Sequence, residues 1–167
     1  FMAADARCEQ LVAQGAHASE LSSGGFGGAA LALDDANRLV EDRPNHELAR
    51  LRKSEILMNQ GDWGNAESEL RELLRLNGNH SMGLVHLGTC MIAMEKSEQA
   101  ERPLNKAIET NPTLSEAWYQ RGLLYLDFGR SDEAMSDFEG AVRADPPHLD
   151  ARLRIAAILH EGKATEQ

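Results

Sequence analysis

The chain carries an internal repeat with a period of 34 residues. The segments 81–112 and 115–146 have small, apolar and proline residues at the same relative positions, and the segment 47–78 keeps the pattern in a weaker form. A fixed period of about 20 to 50 residues indicates supersecondary units that bury their apolar faces by stacking on their neighbours. The chain is therefore expected to form a stack of similar units. The residues that match at this spacing are Gly88 and Gly122, Met91 and Tyr125, Ala100 and Ala134, Leu104 and Phe138, Ala107 and Ala141, and Pro112 and Pro146.

Each copy of the repeat predicts two helices. In the last copy, Trp118, Gly122 and Tyr125 recur at helical spacing and form one stripe on a first helix. Gly129 breaks this helix, and Ser131 is the expected N-cap of a second helix that has acidic residues in its first turn. Aromatic residues make up only 5% of the chain, which also favours helix over strand. The face of the second helix that packs against the first contains Ala134, Phe138 and Ala141.

The residue types at these positions resemble those of the tetratricopeptide repeat (TPR) family. In the last copy the match is carried by Trp118, Gly122, Tyr125, Ala134, Phe138, Ala141 and Pro146. In the preceding copy it is carried by Leu84, Leu87, Gly88, Ala100, Ala107 and Pro112. The copy at 47–78 departs from it, with Arg50 and Ser54 where the others have a large apolar residue and a glycine. The resemblance implies an all-α fold, a right-handed α-solenoid of antiparallel helix pairs, with about four repeats and a terminal helix in a single domain over 1–167.

A glycine-rich stretch, "SSGGFGGAALAL" at 22–33, opens onto a predicted helix of small residues. Loops that bind phosphate are also rich in glycine and open onto a helix. Such loops follow a strand and carry a Gly-Lys-Ser/Thr or Gly-x-Gly-x-x-Gly turn. Here a helix is predicted before the stretch, and the nearest lysine is Lys53. We therefore interpret the stretch as the widened turn of a degenerate first helix pair at 3–44.

A terminal helix is predicted at 149–160. The stripe expected to cover the last helix pair consists of Ile155, Ala156 and Leu159. Leu153 and Ile158 keep an apolar character elsewhere on this helix. These two residues indicate either a contact with another surface or a continuation of the chain into a further repeat.

No set of residues in the sequence predicts catalysis, a metal site or a bound cofactor. His86 and Cys90 lie four residues apart, but a metal site needs three or four ligands and only His80 lies nearby. Cys8 and Cys90 fit no disulfide framework. A net charge of −10 disfavours nucleic acid and anionic membrane surfaces as partners, and no apolar run reaches the length of a membrane span. A non-enzymatic protein without a cofactor is therefore expected.

In TPR proteins, the first helices of successive repeats line a concave groove that binds a peptide or a partner helix. Positions at +3, +4, +3 spacing on each first helix are the candidate binding residues, here called the groove stripe. They are Leu48, Leu51, Glu55, Met58, Met82, Val85, Thr89, Ile92, Glu116, Tyr119, Leu123 and Leu126. Nine of the twelve are apolar or aromatic, and none is Lys, Arg or Asn, the types with which some family members grip C-terminal carboxylates of chaperones. The expected ligand is an apolar or amphipathic segment of a protein or peptide.

Part of the groove stripe has a second interpretation, which is burial between neighbouring repeats. The residues that fit either role are Leu51, Val85 and Leu123. The stronger candidates for contact with a ligand are Met58, Tyr119 and Leu126.

The sequence thus predicts a protein-interaction scaffold. Two alternatives stay open at this point: a self-assembly module that forms homo-oligomers through the degenerate first pair or the final helix, and a regulatory segment of a larger enzyme. The first residue is Phe1, which is typical of a fragment or a processed form. A cytoplasmic location is the default expectation, and a periplasmic location stays open because of this start.

Overall fold

The computed structural model describes residues 27–165, which form eight α-helices and no strand. The helices are α1 (Gly27–Asp42), α2 (Glu47–Asn59), α3 (Trp63–Leu76), α4 (Ser81–Ala93), α5 (Ser97–Thr110), α6 (Ser115–Asp127), α7 (Ser131–Ala144) and α8 (Leu149–Thr165). The predicted all-α solenoid of helix pairs is confirmed. The first helix of the predicted pair at 3–44 and the glycines before Gly27 lie outside the described residues.

Contacts between the helices follow the order of a solenoid. Helices α2 and α3, α4 and α5, and α6 and α7 pack as pairs, and each second helix also packs against the first helix of the next pair. The first helices α2, α4 and α6 contact one another in turn, so they form one continuous face. Helix α8 packs on α7 as α6 packs on α5, which places α8 where a further first helix would lie.

Two glycines let paired helices approach closely. A Cβ atom on Gly122 would lie 2.7 Å from the ring of Phe138, and one on Gly88 would lie 2.7 Å from Leu104. Real Cβ atoms essentially never come so near another heavy atom, so any larger residue must displace its neighbour. The predicted contact of the two helices at Gly122 is confirmed.

The predicted cap of α7 is wrong by one residue. Arg130 occupies the N-cap position and makes no capping side-chain hydrogen bond, whereas Ser131 is the first helical residue. The acidic first turn is confirmed, since Asp132 and Glu133 both lie in it. Arg130 instead forms an ion pair with Glu133.

Histidines cap three of the first helices. The Nδ1 atoms of His46 and His80 each accept a hydrogen bond from a backbone N–H in the first turn of α2 and α4, at 3.1 Å. Nδ1 of His148 accepts the equivalent bond at the start of α8, at 3.3 Å. The three histidines lie at multiples of 34 residues from one another. Leu114 occupies the equivalent position before α6.

The expected stripe of the terminal helix is partly wrong. Ala151 is fully buried, and Ile155 and Ile158 pack against the core of the last pair, but Ala156 and Leu159 are exposed. The register of the repeat explains the difference, because Ala156 and Leu159 correspond to positions that face the second helix of their own pair. Helix α8 is the last helix of the described residues, so within them this face has no such partner.

Candidate binding groove

The groove stripe lies on the face formed by α2, α4 and α6. Two of its members belong to the core: Leu51 is 8% exposed and Val85 is 1% exposed. For these two, the interpretation as buried packing residues applies. The other ten are partly exposed, and Leu123 is among them. The partly exposed members are Leu48, Glu55, Met58, Met82, Thr89, Ile92, Glu116, Tyr119, Leu123 and Leu126.

The apolar members of the stripe rest on two parts of the core. Leu48, Met58, Met82 and Ile92 pack against the cluster that extends from α2 to α6. Tyr119, Leu123 and Leu126 pack against the cluster that joins α6 to α8. Each of these side chains therefore has one side held by the core and another side accessible to solvent, so the stripe presents a preformed apolar surface.

Tyr119 is more tightly held than the sequence suggests. Its ring centroid lies 5.7 Å from that of Phe138 and 5.0 Å from that of His148, both at tilted angles. Phe138 is fully buried, so Tyr119 also contributes to the packing of α6 on α7 and α8. Substitution of Tyr119 would therefore lower the stability of the fold.

A row of polar side chains, missed in the sequence, runs beside the groove stripe. Arg52, His86 and Gln120 occupy the same register on α2, α4 and α6, 34 residues apart. Nη1 of Arg52 donates to Glu55 at 2.6 Å, and Nε2 of Gln120 donates to Glu116 at 2.7 Å. We call Arg52, His86 and Gln120 the polar row. The 34-residue period would have revealed this row, because each of its members directly follows a residue of the groove stripe.

Two nitrogen atoms of the polar row are buried without a hydrogen-bond partner, namely Nε of Arg52 and Nδ1 of His86. Burial lowers the pKa of His86, while the carboxylates of Glu55 and Glu116 oppose this shift. The imidazole is therefore neutral at pH 7. Both nitrogen atoms lie beneath the accessible surface, so the accessible wall of the groove is formed by the apolar side chains.

Residues that the sequence offered for metal binding do not form a site in the described residues. Burial, with a further contribution from Glu67, raises the pKa of the Cys90 thiol to about 11, so the thiolate that binds metals is disfavoured. No group of three or more His, Cys, Asp or Glu side chains suited to a metal ion occurs between residues 27 and 165. Among the same residues, no helix has both the length and the apolar character needed to cross a membrane.

Two known proteins are similar to this chain, one in sequence and one in fold. The probable UDP-N-acetylglucosamine–peptide N-acetylglucosaminyltransferase SPINDLY of Solanum lycopersicum is 33% identical over 138 residues, which are 83% of this chain and 14% of that protein. The chain spans only 13% and 14% of the length of the first two curated relatives that it matches. The crystal structure of MamA superposes with a TM-score of 0.72 at 23% identity, over 83% of this chain and 80% of MamA.

A third relative was solved with a ligand. The first TPR of Spaghetti (RPAP3), bound to the HSP90 peptide SRMEEVD, superposes with a TM-score of 0.65 at 18% identity, over 72% of this chain and 94% of that domain. At such identities the likeness shows a shared fold. The family itself follows from sequence, since the pattern of the cilia and flagella-associated protein 70 middle TPR-like domain matches residues 18–144. The chain therefore belongs to this family of TPR-like domains, and with it to the tetratricopeptide repeat proteins.

Proposed function

We propose that the chain is a non-enzymatic scaffold that binds an apolar or amphipathic segment of another protein along the groove stripe. The observation that carries this proposal is the run of half-buried apolar side chains on three consecutive first helices. They stand at equivalent registers, so an extended or helical segment can contact all three helices at once. Met58 and Met82 add flexible, polarisable side chains that suit an apolar partner.

The charges of the groove favour an apolar ligand over an acidic one. The RPAP3 domain was solved with the peptide SRMEEVD, which contains three acidic residues. In this chain, the groove stripe instead contains Glu55 and Glu116, and the one cation of the polar row, Arg52, is paired with Glu55. An acidic peptide would meet like charges here, and the cation of the polar row in the described residues is already engaged by Glu55.

The test uses peptides selected on the whole chain from a random twelve-residue display library. The double substitution Met58→Glu with Leu126→Glu places two charges in the groove stripe without changing the fully buried core. Apolar anchors commonly contribute about 2 kcal/mol or more, so the affinity of the selected peptides should fall at least about tenfold. Fluorescence anisotropy measures the affinity, and thermal melting followed by circular dichroism checks the fold.

The matched control is Ser136→Glu, which adds a charge at an exposed position of α7. It should leave peptide affinity unchanged, because α7 is a second helix. If peptides bind the double variant as well as the parent, and Ser136→Glu abolishes binding, the ligand occupies the second helices and the proposed groove is wrong.

A specific observation favours self-association as a second candidate function. Leu149, Leu153 and Leu159 of α8 are 65%, 58% and 55% exposed, an unusual density of large apolar side chains on one helix. We propose Leu153→Lys as the test, with the mass of the parent and the variant measured by analytical ultracentrifugation. A parent that is monomeric at high micromolar concentration would exclude this function.

The similarity to a glycosyltransferase favours a third role, as the regulatory repeat segment of a longer enzyme. The match covers 83% of this chain but only 14% of that protein. The complete reading frame decides this point, because an adjoining catalytic domain would support the role and its absence would contradict it.

A further inference from the structure

The junction between α3 and α4 differs from the next junction in the residue that follows its asparagine. Asn77 precedes Gly78, whereas the equivalent Asn111 precedes Pro112. The two asparagines have the same backbone conformation, with φ −137° and ψ 89° for Asn77 and φ −140° and ψ 87° for Asn111. Each Oδ1 also accepts a hydrogen bond at 3.2 Å from the backbone N–H two residues later. The chemical difference is that glycine has a backbone N–H and proline has none.

Neither packing nor backbone conformation requires a glycine at position 78. A Cβ atom there would lie at ordinary contact distances, 3.6 Å from the carbonyl oxygen of Leu74 and 3.7 Å from Nζ of Lys106, and the φ angle lies outside the left-handed region. Gly78 is exposed, and its N–H donates to no acceptor between residues 27 and 165. This N–H is therefore accessible, and the ammonium group of Lys106 favours negative charge developing on its nitrogen.

We propose that Asn77 is a site of covalent modification, at which the side-chain amide is lost through reaction with the backbone of Gly78. After losing its proton, the nitrogen of Gly78 bonds to Cγ of Asn77, and Nδ2 leaves as ammonia with that proton. The resulting five-membered succinimide takes up one water molecule and opens at either carbonyl, which gives aspartate or isoaspartate. The sum is a loss of ammonia and a gain of water, so no oxidant or cofactor is needed. Asn111 is excluded, because Pro112 has no N–H to lose.

The modification places a carboxylate where the structure has a hydrogen-bond donor. Nδ2 of Asn77 donates to Oε2 of Glu47, the first residue of α2, at 2.9 Å. An aspartate at position 77 cannot donate, and it meets the carboxylate of Glu47 as a like charge. It also lies at the C-terminal end of α3, where the helix dipole disfavours negative charge. Isoaspartate in addition lengthens the main chain by one methylene group. Either product therefore weakens the contact between the start of α2 and the end of α3.

The last junction shows when this backbone accepts an acidic residue. Asp145 occupies the register of Asn77 there, with φ −135° and ψ 92°. The residue at the register of Glu47 is Ser115, which carries no charge. The conformation of the junction thus tolerates a carboxylate, and the cost at position 77 comes from the opposing Glu47. This proposal does not depend on the ligand of the groove.

The test incubates the whole folded chain at mildly alkaline pH beside a sample unfolded in urea. Both are then digested at acid pH, and the peptides are identified by mass spectrometry. In the folded chain, Asn77 should become a mixture of aspartate and isoaspartate, while Asn111 in the same molecules keeps its amide. Gly78→Pro gives the junction the residue of the next repeat and should abolish the conversion. If Asn77 reacts in urea but keeps its amide in the folded chain, or if Asn111 reacts equally, the proposal is wrong.

Thermal melts of matched variants measure the consequence for the fold. Asn77→Asp should lower the melting temperature by about 2–4 °C, the size expected for one lost interaction in a chain of this length. Asn111→Asp is the control and should shift it less, because Ser81 stands at the register of Glu47. Adding Glu47→Ser to Asn77→Asp should restore the melting temperature, since it reproduces the pairing of the last junction. If Asn77→Asp melts like the parent, the modification does not loosen α2 and this part of the proposal fails.

Discussion

The helix pairs α4–α5 and α6–α7 have the same fold, but different chemistry joins their helices. In α6–α7, Arg121 donates from Nε and Nη2 to the two carboxylate oxygens of Asp137, both at 2.7 Å, and Asp137 is 3% exposed. Nη1 of Arg121 donates to Asn105 of the preceding repeat at 2.6 Å. In α4–α5, the equivalent positions hold Leu87 and Pro103, which are both buried.

The pair α2–α3 is also joined by an ion pair. Nζ of Lys53 lies 2.6 Å from Oε1 of Glu69, at the positions equivalent to Arg121 and Asp137. The same site in three repeats is thus ionic, apolar and ionic. A buried ion pair and a well-packed apolar pair are often of similar stability, so the solenoid accepts either, provided that both partners change together.

The largest expected effect follows from breaking the ionic form on one side only. Asp137→Ala leaves the guanidinium of Arg121 half-buried with only Asn105 to accept from it. Removing one partner of a buried pair costs about 3–5 kcal/mol, and we expect about 3 kcal/mol here because Arg121 keeps some exposure to solvent. Urea denaturation followed by circular dichroism measures the loss in the free energy of unfolding.

Two further variants sharpen this prediction. Asp132→Ala removes an exposed carboxylate from the same helix and should change stability by less than about 0.5 kcal/mol. The double variant Arg121→Leu, Asp137→Ala imitates the apolar form of α4–α5 and should recover at least half of the loss. If the double variant is as unstable as Asp137→Ala, the ionic and apolar forms are not interchangeable.

The next effect concerns the glycines at which the paired helices touch. Gly122→Ala would place its methyl group against the ring of Phe138, a fully buried and rigid neighbour. Overpacking of this kind costs about 1–3 kcal/mol. We expect about 2 kcal/mol for Gly122→Ala, and less for Gly88→Ala, because the aliphatic side chain of Leu104 can change rotamer where the ring cannot.

Parallel thermal melts of the two alanine variants measure this difference. The control is Gly64→Ala, since Gly64 lies in α3 and an added Cβ would meet nothing within 4 Å. Alanine has the higher helix propensity, so this control should be neutral or slightly stabilising. Equal losses at Gly122 and Gly88 would show that the identity of the opposing side chain does not matter.

These packing positions could be predicted from the sequence, because small and large residues recur at a fixed period. Gly122, Ala134 and Phe138 all belong to the TPR pattern of the last copy. The pattern therefore predicts both the contact of Gly122 with Phe138 and the burial of Ala134. The ion pair of Arg121 and Asp137 could not be predicted in this way. Its members lie on different helices, and the repeat between the two ionic ones has apolar residues at both places, so the pattern is not shared by successive copies.

The candidate groove was only partly predictable. Spacing placed the stripe at equivalent registers of the three first helices, but it could not separate Leu51 and Val85, which neighbouring helices bury, from Met58, which stays accessible. Burial depends on how far each repeat rotates on the next, and this rotation is a property of the packed stack. The 34-residue period could have revealed the polar row. Whether its nitrogen atoms are paired depends on the positions of the surrounding atoms, which the sequence does not give.

The turns inside the pairs offer the finest comparison. Each turn has one residue in the left-handed region: Gly61 at φ 76°, Glu95 at φ 60° and Gly129 at φ 71°. The hydrogen bond that closes each turn is the same, from Lys96 N–H to Met91 O in α4–α5 and from Arg130 N–H to Tyr125 O in α6–α7, both at 2.8 Å. The turn of α4–α5 therefore differs from the other two in having Glu95 at its left-handed position, where the backbone conformation disfavours a side chain.

Glu95→Gly should give the smallest effect, and a stabilising one. The left-handed conformation costs an ordinary residue about 1–2 kcal/mol, and the entropy lost by glycine on folding offsets part of the gain. We expect a net gain of about 0.5–1 kcal/mol, seen as a rise in the melting temperature. The reverse change, Gly129→Glu, should destabilise the chain by a similar amount, since its turn has the same backbone geometry. If Glu95→Gly lowers stability, the carboxylate of this exposed residue makes a favourable interaction that outweighs the strain of its backbone.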